Sequence, residues 1–355
     1  MTLKILGSTI VVVSAAALLA LAAPPAAVSK QSMLESIGRS VLAPAYTQLA
    51  ARAADLSTAA DALTSGPTAK SLDRAQDAWK QTLLAWRRTQ SYAHGPAEDL
   101  GIYPRIQFWP PRRPSIDRVL RADRPIDAGY LQELGANSVG LSTLELLLFD
   151  PARDTAATLA ALTGPAGGRQ RQYVRGLAQD LAKQTRTLAD AWQGPAGYVT
   201  TFGGGGQPQV NLLVNDMLEA IEGGAENRLR VVLERHAERQ FKSELLEGGP
   251  SGTSQQGLLA LLTGAKAVFQ GGGGVGVDDY LRMLKSPTAG RAEAQFQKAI
   301  DAVRLLDGPL EDAIVAHEDL VKRAHEECRL LEIMLKTEVA SSLGVTLTFK
   351  AKDGD

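Results

Sequence analysis

One acidic residue stands inside the most apolar helical segment of the chain. Residues 138–149 read SVGLSTLELLLF, and Glu145 is the only ionisable side chain among them. A buried carboxylate is unfavourable unless it is paired with a cation, hydrogen-bonded or bound to a metal ion. Two interpretations follow. Glu145 either pairs with an arginine and fixes two segments together, or it lines a binding site where burial shifts its pKa.

A second unusual segment concentrates charge, aromatic rings and proline between residues 86 and 110. It reads WRRTQSYAHGPAED, followed after a short gap by RIQFWP. Its arginines Arg87, Arg88 and Arg105 are the candidate partners of Glu145. A proline-dense stretch such as 95–114 cannot form one helix, and long irregular segments in compact domains are often functional. The candidate ligand-binding residues of the two segments are Glu145, Ser142, Arg105, Trp109, Asp99 and His94.

The other histidines, the glycine runs and the cysteine form no known catalytic motif. No two of the four histidines have the four-residue spacing with which a zincin helix holds zinc. Residues 271–276 match GxGxxG literally, but they follow a helical pattern, whereas a dinucleotide site requires a strand there. Cys328 has no second cysteine to pair with, and we expect it to be a buried structural residue.

The charge balance gives no support for nucleic-acid binding. The 355 residues carry 38 basic and 39 acidic side chains, a formal net charge of −1, whereas nucleic-acid-binding proteins show a basic patch or a high pI. Aromatic residues make up only 5% of the chain. Alanine and leucine are abundant, and both favour helix. A prior of about 150 residues per domain indicates two units.

The first residues follow the pattern of a secretory signal peptide. Lys4 precedes an apolar run from Ile5 to Leu21, and small residues and prolines follow at 22–27. We assign residues 1–28 to this signal, with a candidate cleavage site after Ala22, and we expect a periplasmic protein. The alternative is an uncleaved anchor, in which case the chain contacts a membrane only through this segment.

Helical periodicity in the rest of the chain predicts an all-α fold of two up-and-down helical bundles with irregular Pro/Gly-rich linkers. A boundary near 194–206 gives an N-terminal bundle, 29–200, and a C-terminal bundle, 201–355. Trp79 and Trp86 belong to the predicted core. Only 345–349 has a strand-like pattern. The predicted helices are 32–62, 69–93, 115–121, 138–149, 155–162, 168–192, 209–239, 255–269, 278–284, 291–306 and 309–341.

Several segments together resemble the imelysin-like family, which carries a peptidase M75 label. The run from WRRTQSYAHGPAED to RIQFWP resembles a family block in which a long helix ends before GP and an FWP loop follows. GLSTLELLLF aligns with the GxHxxE motif, with Gly140 and Glu145 as its glycine and glutamate and Ser142 in place of its histidine. The glycine-rich segment 251–281 and the ending SLGVTLTFKAKDGD resemble later family segments in the expected order.

The resemblance implies an all-α fold, an exported location, a link to iron acquisition and a metal site at the HxxE pair. A serine hydroxyl does not replace imidazole as a transition-metal ligand, so Glu145 is the only ligand that this motif offers to iron or another divalent metal. Metal-dependent proteolysis needs about three protein ligands, and we therefore do not carry the family's peptidase assignment over to this chain. Ser142 and Glu145 are expected to face a cleft between the bundles, with Arg105 and Trp109 at its rim.

The expected function is a non-catalytic binding or accessory role in iron or haem uptake, with a small ligand, a metal ion or haem in the cleft. His94 and Asp99 are further candidates for contact with it. Two alternatives stay open. In one, the protein is a metal-dependent peptidase of the M75 type in which His94 or another remote histidine replaces the missing one. In the other, the cleft binds a periplasmic partner protein.

Overall fold

The computed structural model describes residues 28–151, 154–194, 196–238 and 246–348. Over these ranges every regular element is helical, and they contain no strand or sheet. The predicted all-α fold is therefore confirmed. The predicted signal peptide, apart from Val28, and the DGD ending lie outside the described residues.

The first group of helices is built around three long ones, α2, α3 and α10. α2 packs against α3 and α10, and α8 contacts both α3 and α10. A π-helical turn, Gly38–Leu42, joins α1 to α2. Thr68 begins α3 with a capping box, because its hydroxyl accepts from the Ser71 backbone N–H. The helices up to residue 192 are α1 (Lys30–Ile37), α2 (Ala43–Ser65), α3 (Ala69–Thr89), α4 (Pro96–Asp99), α5 (Tyr103–Ile106), α6 (Arg113–Arg121), α7 (Ala128–Glu133), α8 (Gly140–Leu148), α9 (Thr155–Thr163) and α10 (Gly167–Trp192).

The second group packs around α14, α16 and α18. A π-helical turn, Ala220–Glu226, continues α12 into α13 and lies against α14 and α18. A further π-helical turn, Leu335–Val339, continues α18 into α19. The helices of this group are α11 (Tyr198–Gly204), α12 (Gly206–Glu219), α13 (Asn227–Ala237), α14 (Ser254–Gln270), α15 (Val277–Met283), α16 (Thr288–Arg304), α17 (Leu310–Ala316), α18 (Glu318–Met334) and α19 (Ala340–Ser342).

Two predicted elements near the end of the chain are wrong. The single helix predicted for 309–341 is interrupted at His317, whose φ of −147° and ψ of 62° separate α17 from α18. The strand predicted for 345–349 is absent from its described part, 345–348. There the Asn215 side chain donates to the Thr346 carbonyl and accepts from the Thr348 N–H, so it supplies the partners that a neighbouring strand would offer. Phe349 lies outside the described residues.

The two groups of helices meet where α3 crosses α14. A Cβ on Gly264 would lie 2.5 Å from the Arg88 carbonyl oxygen, so only glycine permits this approach of the two backbones. α1 also packs against α11 and α12 of the second group. The predicted core tryptophans Trp79 and Trp86 are buried. The division of the chain near residue 200 into two domains stays a prediction.

Within the described ranges, no single helix is both long and apolar enough to cross a membrane. The pair Ser254–Gly273 and Val277–Met283, bent by 59°, meets this condition by length and composition only when its two parts are taken together.

Candidate functional site

Contacts with α3 and with α5 fix the position of α8, the helix that carries Glu145. α8 begins at Gly140, whose φ is +73°. A Cβ at this position would lie 2.4 Å from the carbonyl oxygen of Arg105, so the position requires glycine for both its conformation and its space. The Trp79 indole N–H donates to the Leu141 carbonyl over 2.9 Å. These contacts hold Glu145 at a fixed depth in the core.

Glu145 is buried, as predicted, with 2% of its surface exposed. Its Oε1 accepts from the Ser251 hydroxyl at 2.6 Å and from the Ser251 backbone N–H at 3.2 Å. Burial raises the pKa of the Glu145 carboxyl to about 7, and the hydrogen bonds from Ser251 oppose this rise. Of the two interpretations of Glu145, the pairing with an arginine is wrong, because no described arginine lies within ion-pair distance of Glu145, and Arg87 pairs with Glu247 instead.

The loop that carries Ser251, residues 246–253, is itself anchored by a buried ionic network. Glu247 lies 2.6 Å from the Arg87 guanidinium of α3 and 2.6 Å from the Arg228 guanidinium of α13. It also accepts from the Gln107 side-chain amide. Burial raises the pKa of Glu247, but the two guanidiniums outweigh it and hold this pKa below its ordinary value. Burial and the nearby Arg87 lower the pKa of Arg228 to about 10.

A cavity of about 510 Å³ lies beside this network, with walls from both groups of helices. Its volume falls within the range of roughly 300–1,000 Å³ that is typical of small-ligand pockets. Three carboxylates, an imidazole and a guanidinium contribute to its wall, beside alanine, glycine, proline and leucine residues. Its polar lining consists of Gln90, His94, Glu98, Tyr103, Asp216, Glu219 and Arg228.

The imidazole in this cavity is oriented by a carboxylate from the opposite group of helices. His94 Nδ1 lies 2.6 Å from Asp216 Oδ2, and because a carboxylate only accepts, Nδ1 donates. The same oxygen accepts the backbone N–H groups of Ala93 and His94, at 2.8 and 3.2 Å. Nε2 lies 4.0 Å from a Glu98 carboxylate oxygen. A histidine held in this way has a fixed ring orientation and tautomer, as metal-binding histidines do.

Of the six predicted ligand-binding residues, His94 alone contributes to the described lining of this cavity. Glu145 and Ser142 lie in the core of the first group, at 2% and 1% exposure. Arg105, Trp109 and Asp99 also lie away from this lining. The structure therefore does not bring the six residues together in one site, and their ligand-binding roles stay predictions.

The other three predicted residues have separate environments. Arg105 donates to the carbonyls of Leu131 and Leu134 at 3.0 and 3.1 Å, and it lies 3.6 Å from Asp180. Trp109 is half-buried in the loop before α6, and Asp99 is exposed at the end of α4. The contacts of Arg105 are those of a side chain that holds α7 in place.

The residues around the motif do not fit a transition-metal ion. The Ser142 hydroxyl is buried and has no hydrogen-bond partner among the described residues. Glu145 is occupied by Ser251, and no three His, Cys, Asp or Glu side chains in the described ranges are grouped so that they could hold a metal. The motif thus offers one carboxylate where zinc and similar metals need about three protein ligands.

Three residues that contact the candidate segments from distant parts of the chain were not predicted from the sequence. They are Asp216, which contacts His94, Ser251, which contacts Glu145, and Glu247, which contacts Arg87. Asp216 carried a usable signal, because it is a charged residue within the mainly apolar stretch VNLLVNDMLEAI. Ser251 and Glu247 belong to the glycine-rich run EGGPSGTS, which reads as an ordinary linker. No local pattern in the sequence indicates that Glu247 pairs with both Arg87 and Arg228.

These features define a helical protein with a cavity between two groups of helices, charged side chains on the wall of that cavity, and a buried glutamate in a GxxxxE segment. A sequence profile of the imelysin family (peptidase M75) matches residues 42–329. The chain belongs to the imelysin family. Iron-regulated protein A from Synechococcus elongatus is 31% identical over 153 residues, which make up 43% of this chain. The matched segment covers 38% of that relative's length.

Two solved structures share the fold. A protein described as an iron-regulated protein A precursor from Parabacteroides distasonis superposes with a TM-score of 0.78 over 88% of this chain and 95% of its own. An imelysin-like protein from Psychrobacter arcticum gives a TM-score of 0.70 over 92% of this chain and 100% of its own. Both are 17% identical to this chain, so the likeness extends to the fold alone.

Proposed function

We propose that this chain is an exported, non-catalytic binding protein of iron or haem handling, with its ligand in the cavity between the two groups of helices. The observation that carries the proposal is the cavity wall, where His94 of one group and Asp216 of the other form a fixed pair beside further carboxylates. Imidazole is a ligand type suited to iron. Since no three His, Cys, Asp or Glu side chains of the described residues are grouped to hold a metal ion, the iron would arrive with donors of its own, as it does in haem. A relative whose name refers to iron regulation supports iron as the element concerned.

A binding role is favoured over catalysis by the set of available ligands. A metallopeptidase needs a metal with an open coordination position, held by about three protein ligands, to activate water. The described groups around Glu145 are the Ser251 hydroxyl, the Ser251 backbone N–H and Glu247, which is paired with Arg87. They do not provide three ligands for a metal ion.

Titration of the purified chain with ferric ion, ferrous ion and haem, followed by calorimetry and by haem absorbance, tests the proposal. We expect saturable binding of at least one of the three, weakened at least tenfold in His94→Ala and in Glu98→Gln. Asp73→Asn is the matched control, because Asp73 is an exposed carboxylate of α3 that lies outside the cavity lining. Absence of saturable binding, or binding that His94→Ala and Glu98→Gln leave unchanged, would overturn it.

The alternative function is a metal-dependent peptidase, for which the family label is the supporting observation. In that case His94 or another remote histidine supplies the missing ligand. Incubation with unstructured protein substrates, with and without a chelator, separates the two functions. Cleavage that the chelator abolishes and that is lost in Glu145→Ala would favour the peptidase. If the cavity instead holds a periplasmic partner protein, the partner is recovered with the wild-type chain and lost with His94→Ala.

Export to the periplasm is proposed from the sequence of residues 1–28. Cell fractionation followed by N-terminal sequencing of the recovered protein tests it. A periplasmic chain that begins near residue 23 is the expected result. A cytoplasmic chain, or a membrane-bound one that keeps Lys4, contradicts cleavage and release.

A further inference from the structure

A second concavity lies between the α1–α2 junction, the end of α3 and α14. It has a volume of about 930 Å³, is open to solvent, and shares no lining residue with the cavity at His94. Arg39 of the π-helical turn and Arg88 of α3 both line it, and we refer to it as the Arg39–Arg88 groove. It is independent of the function proposed above.

Glycines at two helix contacts shape this groove. Gly272 has a φ of +59°, and a Cβ there would lie 2.8 Å from the Val41 side chain, so the turn after α14 packs directly against the π-helical turn. Gly264 allows α14 to approach the backbone of Arg88 in the same way. The glycine run 271–276, which matches a dinucleotide motif by spacing, thus forms part of the groove wall and its support.

The ionisable side chains that line the groove are all basic. Arg39 and Arg88 are exposed, and neither has an ion pair with another described residue. Arg52 of α2, which lies outside the groove, is paired with Asp55 at 3.4 Å. No carboxylate belongs to the described lining, so the positive charge of the groove is not neutralised locally.

The remainder of the groove combines apolar surface with a few hydrogen-bonding groups. Val41, Ala43, Pro44 and Ala267 supply apolar surface. The Gln193 side-chain amide donates to the Thr47 hydroxyl at 2.8 Å, so these two lining groups already hydrogen-bond each other. A ligand here would therefore place an apolar body on the alanines and proline, and an anionic group at the two guanidiniums.

We infer that the Arg39–Arg88 groove binds a small organic anion, an apolar body that ends in a carboxylate or a phosphate. Guanidinium groups present planar pairs of N–H donors that match the oxygens of either anion. Two arginines that line one groove from different elements, without an ion pair to another described residue, favour such a group over a neutral or cationic ligand.

Calorimetric titration of the full chain with octanoate, octyl phosphate and octanol tests this inference, because the three share one apolar chain and differ in the head group. We expect saturable binding of octanoate or octyl phosphate with one ligand per chain, and the tighter of the two identifies the preferred anion. Arg39→Gln and Arg88→Gln should each weaken it about tenfold, which corresponds to ~1.4 kcal/mol. Added salt should weaken it as well.

Arg74→Gln is the matched control, since Arg74 is an exposed arginine of α3 outside the groove. It should bind like the wild type, and thermal unfolding should show that all three variants remain folded. Octanol that binds as tightly as the tighter of the two anions would overturn the inference, because binding would then rest on apolar contact alone. No saturable binding, or binding equally strong in Arg39→Gln and Arg88→Gln, would overturn it too.

Discussion

The buried carboxyl of Glu145 gives the stability of this protein a specific pH dependence. Its pKa in the folded state is about 7, raised by burial from an ordinary 4.5. Between these pH values the folded chain keeps a proton that the unfolded chain has released. The contribution of Glu145 to stability is therefore fully present below pH 4.5 and is lost as the pH rises through 7. At 1.36 kcal/mol per pKa unit, the loss amounts to about 3 kcal/mol.

Glu145→Gln keeps the shape of the side chain and an oxygen that accepts from Ser251, but it cannot ionise. We expect its free energy of unfolding to lack this decline, so that the variant gains about 3 kcal/mol relative to the wild type between pH 4.5 and 8. Urea unfolding followed by circular dichroism across this pH range measures the difference.

Glu318→Gln serves as the control for this measurement. Lys322 lowers the pKa of the exposed Glu318, so this substitution should not reproduce the gain at high pH. If wild type and Glu145→Gln give parallel curves of unfolding free energy against pH, the assignment of a raised pKa to Glu145 is refuted.

Three further predictions concern the contacts that hold the site in place. Arg87→Ala leaves Glu247 buried with one guanidinium fewer, so urea unfolding should show a loss of about 3–5 kcal/mol, whereas exposed Arg74→Ala should change little. Gly140→Ala places a Cβ 2.4 Å from the Arg105 carbonyl oxygen at a positive φ, so thermal unfolding should show a loss of stability of about 1–3 kcal/mol. Gly129→Ala is the control, because a Cβ there would have its nearest contact at 3.4 Å, and its stability should change little. Cys328 is buried and burial raises its pKa to about 12, so a thiol reagent should react with it only after denaturation; fast reaction of the folded protein would show that the thiol is accessible.

Helical periodicity and Gly/Pro punctuation were sufficient to place most long helices. The predicted helix 168–192 corresponds to Gly167–Trp192, and the predicted 255–269 corresponds to Ser254–Gln270. Both have continuous apolar stripes that end at residues unfavourable to helix. The interruption at His317 could not be predicted in this way, because neither glycine nor proline marks it. Its non-helical backbone depends on how α17 and α18 pack against α13.

The burial of Glu145 was predictable for the same reason, since an apolar helix must lie in the core. Its partner was not, because Ser251 is 106 positions away in sequence. Sequence reasoning offered nearby arginines as one of two interpretations, yet Arg87 is neutralised by Glu247 from the same distant loop. Contacts of this kind depend on how the two groups of helices dock, which local patterns do not encode.

The 246–253 loop has a consequence for dissecting the protein into fragments. It supplies Ser251 to Glu145 and Glu247 to Arg87, so two buried ionisable groups of the first group of helices have partners in the second. A fragment that ends near residue 200 would keep both ionisable groups and lose these partners. Cooperative unfolding of the whole chain, and recovery of the separated halves only when they are mixed, are the behaviour that this shared anchoring favours.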